Sequence, residues 1–149
     1  MESRSVSIAW KIIMVPNLVM VLFGVVFMAV PDVILSSGYG LFIGQSWSSL
    51  VTSSPRSAEW IVLFGRMYGV HVMVIAILVI AITLMSFRKG EHWSWYTLLI
   101  ANTFGFVLDI AAQIYMGETA IPILNAVFLL LVYVALGISA KDILSKKST

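Results

Sequence analysis

The sequence contains no cysteine, which excludes disulfides, thiol redox chemistry, thiolate metal sites and iron–sulfur clusters. It also has little charge, because only 11% of its residues are charged, against about 25% in a soluble domain. The formal net charge of +2 comes from a few cations at the ends and in one turn, not from a basic stripe. Nucleic acid is therefore not an expected partner.

Apolar residues are abundant instead, at 60% of the chain, and they fall into four long runs. Each run is close to the ~20 residues that a helix needs to cross a bilayer. We predict an all-α integral membrane four-helix bundle in a single domain, with spans at 8–30, 59–87, 93–116 and 120–140. A signal peptide is the alternative for the first run, but its apolar core exceeds the usual ~7–15 residues, so we interpret it as a helix.

The segment 31–58 between the first two spans is too long for a turn and too apolar for a disordered linker. Its apolar residues alternate with glycine and serine. Such a composition favours an outer loop that lies in the membrane interface, and a lid folded back over the mouth of the bundle is the alternative.

The distribution of cations predicts the orientation of the chain, because Lys and Arg of short loops stay on the cytoplasmic side. With four spans, Arg56 alone lies on the opposite side. We therefore predict a multi-pass protein of the cell membrane with both termini in the cytoplasm. The cations predicted to be cytoplasmic are Arg4, Lys11, Arg88, Lys89, Lys141, Lys146 and Lys147.

Ionisable side chains inside the spans are informative, since a charge near the bilayer centre costs roughly 2.5–3.5 kcal/mol on insertion scales. The spans contain Arg66, His71 and Asp109. The helix rise places Arg66, Asp109 and the polar Asn125 about 8–10 Å inside the outer ends of their spans. These residues, on three different helices, should therefore share one layer.

Small and polar residues follow one face of the third span at helical spacing, which predicts that this face looks into the bundle. In the second span, Gly65 and Gly69 are four residues apart, a spacing that lets a neighbouring helix approach closely beside Arg66. The residues of the face in the third span are Asn102, Gly105, Asp109, Ala112 and Gln113.

From these positions we predict an interhelical ion pair between Arg66 and Asp109, hydrogen bonded further by Gln113, Asn125 or Tyr115. Two interpretations stay open. The pair is a structural latch that fixes helix register, which we favour, or it is a site for a polar ligand head group or a proton-handling carboxylate.

The two histidines are predicted at opposite depths, so they cannot jointly ligate one metal or haem. We expect His71, near mid-membrane, to be neutral and hydrogen bonded to a neighbouring helix, with a ligand or proton-relay role as the alternative. His92 lies in the cytoplasmic turn. We predict no metal site and no cofactor.

Pro31 and Asp32 at the end of span one, the long outer loop, Phe-Gly-Arg-Met-Tyr-Gly at 64–69 and the late acidic residue of span three give the chain a family resemblance. It resembles the small four-helix DoxX-like membrane proteins. The resemblance equates Arg66 and Gly69 with that group's Arg-x-x-Gly, and it implies kinship with proteins linked to quinone-associated oxidoreductase subunits. The lack of a cofactor motif argues against catalysis by this chain alone.

The sequence thus leads to functional hypotheses of different classes. The first is a non-catalytic accessory or assembly subunit of a larger membrane complex, or a self-associating bundle, because little hydrophilic sequence lies outside the spans. The second is a binder of a lipid, a quinone or a small apolar ligand, anchored by the Arg66 and Asp109 layer. A third, catalysis or proton transport through Asp109, ranks last.

Overall fold

The computed structural model describes residues 3–145, and this range is helical with no strand. It confirms the prediction of an all-α fold, since four of the helices are long and apolar enough to cross a membrane. We number the α-helices in chain order, with one short 3-10 helix at Phe87–Lys89. They are α1 Arg4–Ala29, α2 Pro31–Ile43, α3 Trp47–Ser53, α4 Pro55–Met85, α5 His92–Tyr115 and α6 Ala120–Leu144.

The long helices α1, α4, α5 and α6 correspond to the four predicted spans, but three of them extend into flanking polar sequence. The Ser3 hydroxyl accepts a hydrogen bond from the backbone N–H of Val6, so α1 begins before its apolar run. Pro55 occupies the first turn of α4, where its missing N–H costs little. Helix α6 continues to Leu144, and the predicted cytoplasmic cations Lys146 and Lys147 lie outside the described residues.

The four long helices are arranged in the order α4, α1, α6, α5. Helix α1 packs against both α4 and α6, and α5 packs against α6. Within residues 3–145, no Cα atoms of α4 and α6, or of α1 and α5, approach within 8 Å. A short turn joins α4 to α5, yet these two helices contact each other over only a small part of their length. The bundle is therefore open on the side between α4 and α5.

The buried apolar core lies at the end of the bundle that carries the turn between α4 and α5. There the indole Nε1 of Trp95 donates a hydrogen bond of 3.0 Å to the backbone carbonyl of Leu136, which joins α5 to α6. This end is tightly packed, so the opening between α4 and α5 lies in the opposite half of the bundle. The core residues are Val6, Ala9, Ile13, Val79, Phe87, Leu98, Val132, Ala135, Leu136 and Ile143.

In the outer half, glycines bring α1 and α4 together. A Cβ added to Gly24 would lie 2.7 Å from the carbonyl oxygen of Gly69, so the two backbones are in direct contact. A Cβ added to Gly65 would lie 2.6 Å from the side chain of Leu35 on α2. The close approach predicted from the spacing of Gly65 and Gly69 is present, and α1 and α2 are the helices that use it.

The predicted outer loop 31–58 contains two helices, α2 and α3. Leu35 packs against α4 near the start of α2, and at its end the Phe42 ring lies 5.6 Å from the ring of Tyr115, the last residue of α5. Helix α2 thus passes across the outer end of the open side, from α4 to α5.

Candidate functional site

The carboxyl group of Asp109 joins three helices. Asp109 is half-buried on α5, and its Oδ1 accepts a hydrogen bond of 2.7 Å from the hydroxyl of Tyr68 on α4. Its Oδ2 accepts a hydrogen bond of 2.5 Å from Nδ2 of Asn125 on α6. Asn125 is only 2% exposed. A polar side chain buried in an apolar span needs such a partner, and Asp109 provides it.

The contact between Asp109 and Asn125 follows from the short turn between their helices. Helix α5 ends at Tyr115 and α6 begins at Ala120, with Gly117 at φ +83° in the turn between them. Because both helices rise 1.5 Å per residue, positions a similar number of residues from the turn lie at the same level. Asp109 and Asn125 are such a pair, as the sequence indicated.

The side chain of Tyr68 spans the gap between α4 and α5 on the open side of the bundle. Its ring packs edge-on against Phe27 of α1, with 5.3 Å between ring centroids. The neighbouring Gly69 lies at the close crossing of α1 and α4. The ring is therefore held at the edge of that crossing, and its hydroxyl reaches Asp109 on α5.

Tyr68 is not among the site residues predicted from the sequence. A signal was present, because Tyr68 bears a hydroxyl and lies about 12 Å inside Trp60 by helix rise, close to the level of Asp109. What the sequence did not give is the direction in which the side chain points.

Space beside Asp109 is open. Gly105 lies one turn before Asp109 on the same face of α5, and a Cβ added there would meet nothing in residues 3–145 within 4 Å apart from its chain neighbours and the backbone of α5 itself. Ala112, about one turn beyond Asp109, is exposed as well. We call this open space between α4 and α5 the α4–α5 cleft, and define it by Tyr68, Gly105, Asp109 and Ala112.

The predicted small and polar face of α5 is thus only partly covered. Asn102 is buried, and its Nδ2 donates to the backbone carbonyl of Leu98 in its own helix, at 2.8 Å. Gly105 and Ala112 were expected to face packed protein but are exposed, because α4 and α5 contact each other over only a small part of their length.

The predicted ion pair between Arg66 and Asp109 is wrong. Arg66 is exposed and forms no salt bridge with Asp109 in the part of the chain that the structure describes. The reason is rotation about the helix axis. Arg66 and Tyr68 are two residues apart, which is about 200° around an α-helix, so their side chains leave α4 on opposite sides. Tyr68 points toward α5, and Arg66 points away from it.

The other predicted partners of Asp109, which are Tyr115 and Gln113, do not hydrogen bond to its carboxyl group. Tyr115 is 76% exposed and packs against Phe42 of α2, at the outer end of α5. Gln113 is half-buried, and neither hydrogen bond of the Asp109 carboxyl involves it.

His71 was expected to hydrogen bond to a neighbouring helix, and this prediction is wrong. Its Nδ1 donates to the backbone carbonyl of Met67, one turn earlier in α4, at 2.7 Å, and the side chain is exposed. Within residues 3–145, no three His, Asp or Glu side chains are close enough together to hold a metal ion.

Comparison of the chain with models of protein families, with curated proteins and with solved structures found no match. The resemblance to DoxX-like proteins therefore stays a prediction, and the site has to be interpreted from its own geometry.

Proposed function

We propose that this protein binds a lipid, a quinone or another small lipophilic molecule in the α4–α5 cleft, without catalytic activity of its own. The observation that carries the proposal is the Asp109 carboxyl, held by Tyr68 and Asn125 and bordered by open space at Gly105. A carboxyl group inside a span is costly, and such groups commonly mark binding sites. Of the hypotheses from the sequence, this geometry favours the ligand binder, with Tyr68 in the role that was expected of Arg66.

Aromatic side chains one turn from Asp109 and from Asn125 pack together. The rings of Phe106 on α5 and Phe128 on α6 lie 6.3 Å apart, and both are buried. Phe27 backs the ring of Tyr68. Because these rings are buried, a ligand with its head at Asp109 would extend its tail outward between α4 and α5, toward the lipid.

The position of α2 supports a route of entry from the membrane. Helix α2 passes across the outer end of the open side, from Leu35, which packs against α4, to Phe42, which packs against Tyr115 of α5. It therefore obstructs access from the aqueous phase. The opening between α4 and α5 faces sideways. We propose that the ligand enters laterally from the lipid.

A second candidate function, accessory subunit of a larger membrane complex, is favoured by His71. This imidazole is exposed within a span, where an ionisable side chain seldom faces lipid. A partner helix over this surface of α4 would remove the unfavourable exposure. A second copy of this chain and an unrelated membrane protein would cover this surface equally well.

We also propose that the protein resides in the cell membrane with both termini in the cytoplasm. Arg88 and Lys89 lie in the turn at the same end of the bundle as Arg4, Lys11 and Lys141, which is the distribution that the positive-inside rule associates with the cytoplasmic side.

Native mass spectrometry after gentle extraction tests the ligand-binding function. Gly105→Leu should fill the cleft, and Gly137→Leu is the matched control, since an added Cβ at either position meets nothing within 4 Å. We expect a retained lipophile in the wild-type protein and in Gly137→Leu, and its loss in Gly105→Leu. A stoichiometric protein partner with no lipophile would favour the accessory subunit. Equal retention in all three proteins would contradict binding in the cleft.

A further inference from the structure

Two hydrogen-bond donors of the Asp109 cluster, on Tyr68 and Asn125, point toward the carboxyl group. Tyr68 and Asn125 each donate to a different oxygen of Asp109. A carboxylate oxygen can accept more than one hydrogen bond, so the capacity that remains at Asp109 is for further donors. The Tyr68 hydroxyl has a single hydrogen, which it gives to Asp109, so only its lone pairs are available to a ligand.

Among the four residues that define the α4–α5 cleft, the Tyr68 hydroxyl is the one side-chain donor, and its hydrogen goes to Asp109. The amide of Asn125, at 2% exposure, is closed off from the open space, and the guanidinium of Arg66 lies on the other side of α4. Gly105 and Ala112 bring no polar side chain. The side chains that define the cleft therefore present acceptors.

We propose that the ligand is a lipophile whose head donates hydrogen bonds, a hydroxyl in an alcohol or phenol, and that Asp109 and Tyr68 accept them. This inference rests on the proposed function and specifies its ligand class. Head groups that can only accept hydrogen bonds, such as an ether or a ketone, could not form a hydrogen bond with Asp109 or Tyr68, because neither side would supply a hydrogen atom. Anionic heads, such as a carboxylate or phosphate, bring only acceptors and would find no cation among the residues that define the cleft.

The test uses three probes with the same alkyl chain: a long-chain alkylphenol, its methyl ether and the fatty acid. Binding to the purified full chain in lipid nanodiscs is measured by isothermal titration calorimetry. A hydrogen bond to a charged group supports a preference of about tenfold or more. We expect the phenol to bind at least about tenfold more tightly than the ether, and the fatty acid to bind no better than the ether.

Three variants separate the hydrogen-bonding role from a structural one. Asp109→Asn keeps an acceptor but adds donors, so the preference for phenol over ether should fall to about threefold or less. Tyr68→Phe keeps the ring on Phe27 and should weaken phenol binding alone. Tyr133→Phe is its matched control, because the Tyr133 hydroxyl bonds to Thr103 between α5 and α6, at 2.9 Å, and this variant should bind as the wild type does.

The outcomes distinguish the inference from the proposed function. If phenol and ether bind equally well, or the fatty acid binds best, and Gly105→Leu abolishes this binding, the cleft is a ligand site but the inference is overturned. If no probe binds to the wild-type protein, the proposed function fails together with the inference. A preference for phenol that persists unchanged in Asp109→Asn also overturns it.

Discussion

Gly24 of α1 and Gly69 of α4 touch through their backbones, since a Cβ on either residue would lie 2.7 Å from the carbonyl oxygen of the other. Only glycine permits this distance, and small residues at helix crossings are a common means of association in membranes. The crossing sets the position of α4 and, with it, of the adjacent Tyr68. The polar contact at Asp109 thus depends on two glycines that form no part of it.

Gly69→Ala should separate α1 from α4, because the added methyl group would overlap backbone atoms that cannot turn aside. We expect a loss of about 1–3 kcal/mol in the free energy of unfolding, which is typical of overpacking. Gly137→Ala, where the added methyl group meets nothing, should be neutral or slightly stabilising. Thermal unfolding in detergent, followed by circular dichroism, compares the two. Equal stability of both variants would contradict the tight crossing.

Asp109→Ala should destabilise the bundle far more than Arg66→Ala. The first change removes two interhelical hydrogen bonds and leaves the amide of Asn125 buried without its partner. Hydrogen bonds between membrane helices contribute about 0.6 kcal/mol each on average and up to about 1.7, so we expect a loss of about 1–3 kcal/mol. The exposed Arg66 should contribute less than about 0.5 kcal/mol. Unfolding titrations in mixed micelles measure both variants. A comparable loss of unfolding free energy in the two would support an ion pair between Arg66 and Asp109.

Trp95 and Trp93 offer a matched pair at the opposite end of the bundle. Trp95→Phe loses the hydrogen bond to the carbonyl of Leu136 on α6 and should cost about 1 kcal/mol. Trp93 donates to Glu91 in the turn preceding its own helix and is exposed, so Trp93→Phe should have little effect. The same unfolding assay compares them. A larger loss for Trp93→Phe would contradict the proposed role of Trp95 in joining α5 to α6.

The absence of native cysteine makes the orientation of the chain directly testable. Ser53 at the end of α3 and Lys89 in the turn before α5 are both exposed and lie at opposite ends of α4. A membrane-impermeant maleimide should label Ser53→Cys in intact cells and Lys89→Cys only after permeabilisation. The reverse pattern would show that the termini are not cytoplasmic.

The depth of a polar side chain in the membrane could be predicted from the sequence, whereas the direction in which it leaves its helix could not. The helix rise placed Asp109 and Asn125 in one layer, and the structure joins them by a hydrogen bond. The same rise placed Arg66 there as well, but its side chain leaves α4 on the side away from α5. Direction depends on which helix lies next to which, and a charge pattern alone does not determine that. Tyr68 was missed for the same reason.

Helices α2 and α3 were missed because the glycine and serine content of 31–58 favours irregular structure. Pro31 was interpreted as the end of the first span, and it is also the first residue of α2. Proline both follows one helix and opens the next, since it lacks an N–H that neither position requires. The four long spans were predictable because apolar runs of bilayer length leave few alternatives.

Protection of an introduced cysteine at Gly105 tests the central claim most directly, with the alkylphenol as ligand. Gly105→Cys places a thiol in the α4–α5 cleft, and Gly137→Cys places one on an open surface of α6 as the control. In nanodiscs, we predict that saturating alkylphenol slows labelling of Gly105→Cys by a lipid-soluble maleimide and leaves Gly137→Cys unchanged. Equal labelling rates of Gly105→Cys with and without the ligand would contradict a binding site beside Asp109.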